Sequence, residues 1–124
     1  MTSEDQDPTS ILQRMVLEVF GERDAARRAA AVQELFASDA TFSDAEASVT
    51  GHEAIDATAG RILAGAPPEF AFTIVDGPQA IADLARVSWH FGPAADAPAV
   101  RGTDIALIAG GRITRLYTFL EPST

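Results

Sequence analysis

The chain has 124 residues, of which 47% are hydrophobic and 22% are charged, and its formal net charge is −9. This composition is typical of one globular domain and argues against intrinsic disorder, while the acidic charge argues against a nucleic-acid or membrane partner, since both need a basic surface. The absence of cysteine excludes disulfides, thiol catalysis and zinc–thiolate sites.

The N-terminal segment is predicted to be a loose tail followed by a first helix. Residues 1–8 are polar and acidic, without the charged start and apolar run of a secretory signal, and no apolar run reaches the length of a membrane span. A cytoplasmic protein is therefore the expectation. Thr9 or Ser10 can cap a helix whose apolar residues repeat at helical spacing and which Gly21 ends.

Two further helices are indicated by their caps. Asp24 can cap a second helix with one apolar stripe. The run from Thr50 to Glu53 has the spacing of a capping box and predicts the start of a third helix, which Gly65 ends. Between these helices, residues 40–43 are predicted to be a short extended piece and residues 44–47 a turn.

After Pro68 the apolar residues alternate, which predicts four strands over residues 69–75, 81–91, 100–109 and 112–121. Gly77-Pro78 and the loop 92–98 separate the first three strands, and Gly110-Gly111 is a signal for a tight hairpin. Helices followed by strands in hairpins predict a single α+β domain over residues 9–122 with an antiparallel sheet.

Several short motifs, in this order, resemble the SnoaL-like branch of the nuclear transport factor 2-like superfamily. They are Leu35 to Asp44, Gly51 to Ile55, Gly102-Thr103-Asp104 and Gly111-Arg112-Ile113. The resemblance implies a cone, with three N-terminal helices packed on a curved antiparallel sheet around an apolar interior. It also implies a homodimer through the outer face of the sheet. The superfamily includes ketosteroid isomerases, polyketide cyclases, epoxide hydrolases and non-catalytic binders.

Two aspartates are the candidate catalytic residues. In ketosteroid isomerases a general base follows a run similar to residues 40–44, which implies that role for Asp44, and a second, neutral aspartate donates to the oxyanion, which implies that role for Asp104. The residues themselves also indicate a pocket position for Asp104, because strand alternation places it on one face with Gly102 and Ala106, and apolar neighbours raise the pKa of a carboxyl group. Two alternatives stay open: Asp104 could accept hydrogen bonds at a strand start, and Asp44 could be a turn residue.

The sequence departs from two known site patterns of the superfamily. The first-helix tyrosine that serves isomerases as the main oxyanion donor falls near Met15 or Val16, neither of which can donate a hydrogen bond. The only tyrosine is Tyr117 on the last predicted strand. The epoxide-hydrolase pattern has an aspartate on the last strand, at the position that Thr118 occupies in this sequence. These departures weaken the expectation of steroid isomerase or epoxide hydrolase chemistry.

The resemblance implies that a set of mostly apolar residues lines the pocket and binds the substrate. Trp89 would offer aromatic area and an N–H donor, and alternation places His90 on the opposite, outer face of the same strand. Taken one by one, these residues are equally compatible with plain core packing. The predicted lining is Phe20, Ile55, Ala59, Ile62, Phe72, Val87, Trp89, Leu116, Thr118 and Leu120.

The sequence leaves two main hypotheses for function. In the first, the chain is an isomerase- or cyclase-type enzyme in which Asp44 abstracts a proton next to a carbonyl and Asp104 stabilises the enolate of a small hydrophobic, steroid- or polyketide-like substrate. The alternative is a non-catalytic protein that binds a small hydrophobic ligand; a third possibility is a structural domain whose cone is filled by its own side chains.

No cofactor is expected, and His52 and His90 with scattered carboxylates give no metal-ligand spacing. Ile105 and Leu107 on the outer face suggest homodimerisation.

Overall fold

Three helices cover the inner face of a curved, six-stranded sheet in the computed structural model, which describes residues 7–93 and 97–122. The helices are α1 (Pro8–Arg14), which continues as a π-helical segment (Met15–Phe20), α2 (Ala25–Leu35) and α3 (His52–Ala64). The strands are β1 (Phe36–Ser43), β2 (Ser48–Thr50), β3 (Phe70–Ile81), β4 (Leu84–Pro93), β5 (Val100–Ala109) and β6 (Arg112–Leu120). The α+β class with three N-terminal helices is thus confirmed.

The first two helices begin at residues that suit a helix start. Pro8 occupies the first turn of α1, where its missing N–H costs nothing. The cap position is Asp7, not Thr9 or Ser10 as predicted, and the Thr9 hydroxyl donates to Asp7 Oδ2 at 2.6 Å. The helix therefore begins inside the segment predicted as a tail, and the rest of that prediction, residues 1–6, lies outside the described residues. Asp24 caps α2 as predicted, since its carboxylate accepts from the Arg27 N–H.

The predicted capping box at the start of α3 is wrong. Thr50 is the last residue of β2 and pairs with Thr41, so the sheet holds it in an extended conformation. Gly51 is the cap residue, with φ 96°, a value that glycine adopts readily, and its N–H donates to the Ala40 carbonyl at 2.8 Å.

The sheet has the strand order β2-β1-β6-β5-β4-β3. All neighbouring strands are antiparallel except β1 and β6, which run parallel, so the predicted purely antiparallel sheet is corrected to a mixed one. The turn predicted at 44–47 joins β1 to β2, and the Asp44 N–H donates to the Ala47 carbonyl at 3.0 Å.

The hairpin between β3 and β4 lies later in the chain than predicted. Gly77-Pro78 falls inside β3, where the register to β4 shifts on either side of Asp76, and the chain turns at Ala82 and Asp83. A proline is tolerated there because β3 is an edge strand, which does not need every N–H for the sheet.

The inner face of the sheet packs against the helices and forms the core. Alternate residues of β4 and β5 are buried there, among them Ala85, Val87 and Ala106. A largely buried ion pair, Arg28 Nε to Asp56 Oδ1 at 2.7 Å, joins α2 to α3. Within residues 7–93 and 97–122, no helix is long and apolar enough to cross a bilayer.

Candidate functional site

An apolar cavity of about 220 Å³ lies between the inner face of the sheet and the helices. Aromatic and aliphatic side chains make up most of its wall, and two aspartates and a threonine supply the polar groups. The wall consists of Phe20, Phe42, Asp44, Ile62, Phe72, Trp89, Phe91, Val100, Asp104, Thr118 and Leu120. A cone filled by its own side chains, the third hypothesis from the sequence, does not fit this cavity.

The structure divides the predicted pocket residues into two groups. One group lies on the cavity wall together with both candidate catalytic aspartates: Phe20, Ile62, Phe72, Trp89, Thr118 and Leu120. The other group is fully buried in the core and does not reach the wall: Ile55, Ala59, Val87 and Leu116.

Sequence reasoning left three wall residues out of the predicted lining: Phe42, Phe91 and Val100. Alternation along the strands could have identified each of them, because Phe91 follows the wall residue Trp89 by two positions, Val100 shares a face with Asp104, and Phe42 precedes Asp44 by two.

Asp104 is the buried acid of this cavity. It lies on β5 opposite Val87 of β4 and Thr118 of β6, and only 3% of its surface is exposed. The Thr118 hydroxyl donates to its Oδ1 at 2.7 Å. Burial raises the pKa of the carboxyl group to about 6, although the Thr118 hydroxyl and the Trp89 indole oppose the rise by stabilising the charged form. A carboxyl group with this pKa is partly neutral near pH 6 and can then donate a hydrogen bond.

Asp44 lies at the end of β1, on the cavity wall and also in the β1–β2 turn. Its Oδ1 accepts hydrogen bonds from the N–H groups of Glu46 and Ala47 at 2.9 and 3.0 Å, which is the local turn bonding that the sequence left open as an alternative. The side chain is exposed, unlike that of Asp104. Turn formation engages one carboxylate oxygen, so Oδ2 is the oxygen available for another role.

The aromatic side chains form two packed groups around the cavity. Phe72 stacks on Phe91 with ring centroids 4.3 Å apart and meets Trp89 edge-on at 5.0 Å. Phe20 packs against Phe42 at 5.5 Å. These contacts fix the shape of the wall, since aromatic pairs in such geometries are stabilised beyond the area they bury.

Gly102 allows Trp89 to take its place on the wall. The two residues are paired across β4 and β5, and the indole ring lies against the backbone of Gly102. A Cβ atom at this position would come within 2.6 Å of Trp89 Cη2 and 3.0 Å of Cε2, which is too close for real side chains.

Gly102→Ala is therefore expected to displace the indole ring and to destabilise the fold by about 1–3 kcal/mol, as overpacking commonly does. Urea unfolding and the fluorescence of Trp89, the only tryptophan, would measure both effects. Thr103→Ala is the control, because its side chain lies on the outer face, where it is bonded to Ser88. An unchanged emission spectrum in Gly102→Ala would contradict the prediction.

Other residues considered from the sequence lie away from the cavity. Met15 and Val16, at the place of the isomerase tyrosine, are buried in the core and do not reach the wall. His52 Nε2 lies 2.8 Å from the Phe36 carbonyl oxygen, a contact that joins α3 to β1, and His90 pairs with Arg101 on the outer face. Within the described part of the chain, no group of three or more histidines and carboxylates could hold a metal ion.

Comparison with known proteins identifies the family. A family model described as a SnoaL-like domain matches residues 13–116, which is most of the chain. The chain belongs to the SnoaL-like family. The family resemblance seen in the sequence is thereby confirmed, and the α+β fold of this SnoaL-like chain is that of the nuclear transport factor 2-like proteins.

Solved structures of other proteins share the fold of this SnoaL-like chain. A proposed isomerase of the SnoaL-like family from Agrobacterium tumefaciens is 23% identical, with a TM-score of 0.82 over 91% of this chain and 96% of that one. A proposed SnoaL-like polyketide cyclase from Jannaschia sp. is 12% identical, with a TM-score of 0.74 over 98% of this chain and 90% of that one. A proposed ketosteroid isomerase from Kribbella flavida is 19% identical, with a TM-score of 0.63 over 97% of this chain and 81% of that one. A search of curated proteins finds no match.

Proposed function

We propose that this protein is a cofactor-independent enzyme of the isomerase or cyclase type, which abstracts a proton next to a carbonyl group of a small hydrophobic substrate. The observation that carries the proposal is Asp104, a buried carboxyl group with a raised pKa on the wall of an otherwise apolar cavity. Buried acids are costly to keep in a core, and perturbed pKa values in a cavity are typical of functional sites.

The proposed roles follow from where the two carboxyl groups lie. Protonated Asp104 donates a hydrogen bond to the substrate carbonyl oxygen and stabilises the negative charge that develops there. Asp44, at the cavity wall, takes the proton from the carbon next to the carbonyl, which leaves an enolate. In a substrate with a β,γ double bond this enolate is a dienolate, and return of the proton to its γ carbon moves the double bond into conjugation with the carbonyl, so no oxidant or other reactant is needed.

The structural relatives support the reaction type in general terms. The proteins from Agrobacterium tumefaciens and Kribbella flavida are proposed isomerases, and the one from Jannaschia sp. is a proposed polyketide cyclase. At such low sequence identity, similarity to these proteins supports a shared fold but does not identify a shared substrate. The proposal for this chain therefore depends on its own cavity and on Asp104.

An isomerisation assay with a simple probe tests the proposal. Cyclohex-3-en-1-one becomes the conjugated cyclohex-2-en-1-one when an α-proton is removed and returned at the γ carbon, and the conjugated product absorbs ultraviolet light much more strongly than the starting ketone. We expect the protein to accelerate this conversion and to exchange the α-protons of the ketone with deuterated water. Bound ketone with neither conversion nor exchange would contradict the enzyme proposal.

A second function, non-catalytic binding of a small hydrophobic ligand, is favoured by two observations. Asp44 Oδ1 already accepts hydrogen bonds from the N–H groups of the turn. Met15 and Val16, which stand where isomerases have the tyrosine that donates to the oxyanion, are buried and cannot donate a hydrogen bond. Trp89 lies on the cavity wall, so its fluorescence reports binding without requiring any reaction. A fluorescence change that saturates with the ketone, without conversion or exchange, would support this second function.

We also propose a homodimer through the outer face of the sheet. Ile105, Leu107 and Tyr117 are only half-buried there in the single chain, and Phe119 beside them is 59% exposed. An apolar sheet face of this kind is usually buried against another layer of structure or another subunit. Sedimentation at micromolar concentration is expected to give a dimer, and a monomer would contradict the proposal.

A further inference from the structure

We infer that the substrate is an uncharged carbonyl compound of one or two rings, and that a four-ring steroid is too large for this cavity. The inference rests on the proposed function and narrows it to a substrate class. Three features of the site carry it: the volume of the cavity, the small number of polar groups on its wall, and the sign of its charge.

The volume of the cavity limits the number of rings. It measures about 220 Å³, whereas sites for drug-sized ligands usually measure roughly 300–1,000 Å³. A cavity of about 150 Å³ between apolar side chains holds one benzene molecule. In proportion, this cavity accommodates about nine heavy atoms, which is one substituted ring or a compact pair of fused rings.

The polar groups on the wall limit the substrate to one buried hydrogen-bonding group. Among the described wall residues, only Asp44, Thr118, Trp89 and Asp104 carry polar side-chain atoms. The Thr118 hydroxyl already donates to Asp104 and the Trp89 indole also interacts with that carboxyl group, which leaves Asp104 as the main partner for a ligand atom in the interior. A second polar group on the buried part of the substrate would lose its hydrogen bonds to water without a replacement, which weakens binding.

The charge of the site excludes anionic substrates. Every arginine of the chain lies within the described residues, and none of them is on the cavity wall, while the sequence contains no lysine. A carboxylate or phosphate in the cavity would therefore face Asp104 and Asp44 without a cationic partner. The net charge of −9 adds to the repulsion before the ligand enters.

The opening of the cavity shows where a larger molecule would extend. Asp44, Thr118 and Leu120 are shared with a neighbouring open hollow, which Glu46 and Tyr117 also line. Leu120 is 60% exposed and Ile62 is 40% exposed, so they form the outer part of the wall. The additional rings of a steroid would extend out of the enclosed cavity into this open hollow, where Tyr117 and Phe119 lie beside Ser43 and Glu46 and where part of the rings stays in contact with water.

A size series of β,γ-unsaturated ketones tests the inference: cyclohex-3-en-1-one, a fused two-ring bicyclo[3.3.0]octenone and a four-ring 3-ketosteroid. For each, Trp89 fluorescence gives the dissociation constant and the ultraviolet assay gives kcat/KM. We expect the two-ring ketone to bind best and the steroid to bind about tenfold more weakly or worse, a difference of about 1.4 kcal/mol or more. A two-ring ketone that carries a carboxylate is expected to lose at least as much.

The outcomes separate this inference from the proposed function. Tightest binding by the steroid or by the carboxylate compound would overturn the inference, and so would no binding of any probe. Binding in the expected order without turnover would support the substrate class and contradict the enzyme proposal alone.

A matched pair of variants tests whether the wall sets the size limit. Ile62→Ala removes a wall residue and is expected to improve steroid binding several-fold relative to the two-ring ketone. Leu17→Ala is the control, because Leu17 is a helical residue of similar exposure, 41%, that does not line the cavity. Equal preferences in both variants would contradict the size limit.

Discussion

Asp104→Asn is expected to make the free energy of unfolding less dependent on pH. Below the ordinary aspartate pKa the carboxyl group is protonated in the folded and the unfolded chain alike. As the pH rises, the unfolded chain releases its proton first, because burial raises the folded-state pKa to about 6 from 3.8. The stability that Asp104 contributes at low pH is therefore lost as the pH rises through about 6.

The expected loss is large for a single residue. A pKa difference of about 2 corresponds to roughly 3 kcal/mol over the whole range, of which about 1–2 kcal/mol falls between about pH 5 and pH 8. Urea unfolding of the wild type and Asp104→Asn at these two pH values measures the difference. Asp39→Asn, an exposed position on β1, is the control and should keep the wild-type dependence. The same pH dependence in Asp104→Asn as in the wild type would contradict the raised pKa of Asp104 in the folded protein.

Asp44→Asn is expected to lower kcat by about 10²–10⁴-fold, the usual contribution of a general base, while the dissociation constant of the ketone changes little. The asparagine side chain keeps an oxygen that can accept from the N–H groups of Glu46 and Ala47, so the turn should persist. The isomerisation assay gives kcat, and Trp89 fluorescence gives the dissociation constant.

Glu46→Gln is the control for this experiment, because it removes a carboxylate from the same turn and leaves Asp44 in place. It should retain nearly all of the wild-type kcat. Full turnover in Asp44→Asn, or an equal loss in both variants, would show that Asp44 is not the base, and the non-catalytic binding function would then be favoured.

The parts of the fold that could be predicted from sequence depend on local patterns. Asp24 caps α2 through an N–H three residues away, and Gly21 and Gly65 follow the helical segments that they were predicted to end. Alternation placed Asp104 on the buried face of β5, and alternation together with the family resemblance placed Trp89 on the buried face of β4. In each case the signal and the structure lie within a few residues of each other.

The errors concern interactions between distant segments and turns without typical residues. The parallel pair of β1 and β6 joins Phe42 to Leu116, and no turn signal marks such a pairing. Thr50 has the spacing of a helix cap, but pairing with β1 holds it in the sheet. The β3–β4 hairpin turns at Ala82-Asp83, whereas the stronger turn signal, Gly77-Pro78, lies inside an irregular edge strand.

In the candidate site, too, local patterns predicted some features, while others depend on how distant segments pack together. Alternation predicts which strand residues point inward, but it does not predict how deep each one lies in the cone. Ile55 and Ile62 of α3 were both predicted to line the pocket, yet Ile55 is fully buried in the core and Ile62 reaches the cavity wall. The hydrogen bond from Thr118 to Asp104 depends on the register of β5 and β6, which only the folded sheet defines.

A carbon-13 NMR titration of the Asp104 carboxyl group, assigned by comparison with Asp104→Asn, measures the state of this acid directly. The structure predicts a midpoint near pH 6 in the free protein. A ketone bound in the cavity should move the midpoint higher, because a carbonyl oxygen accepts a hydrogen bond only from the protonated acid. A midpoint at or below the ordinary value of 3.8, unchanged by the ketone, would contradict a neutral hydrogen-bond donor in the cavity.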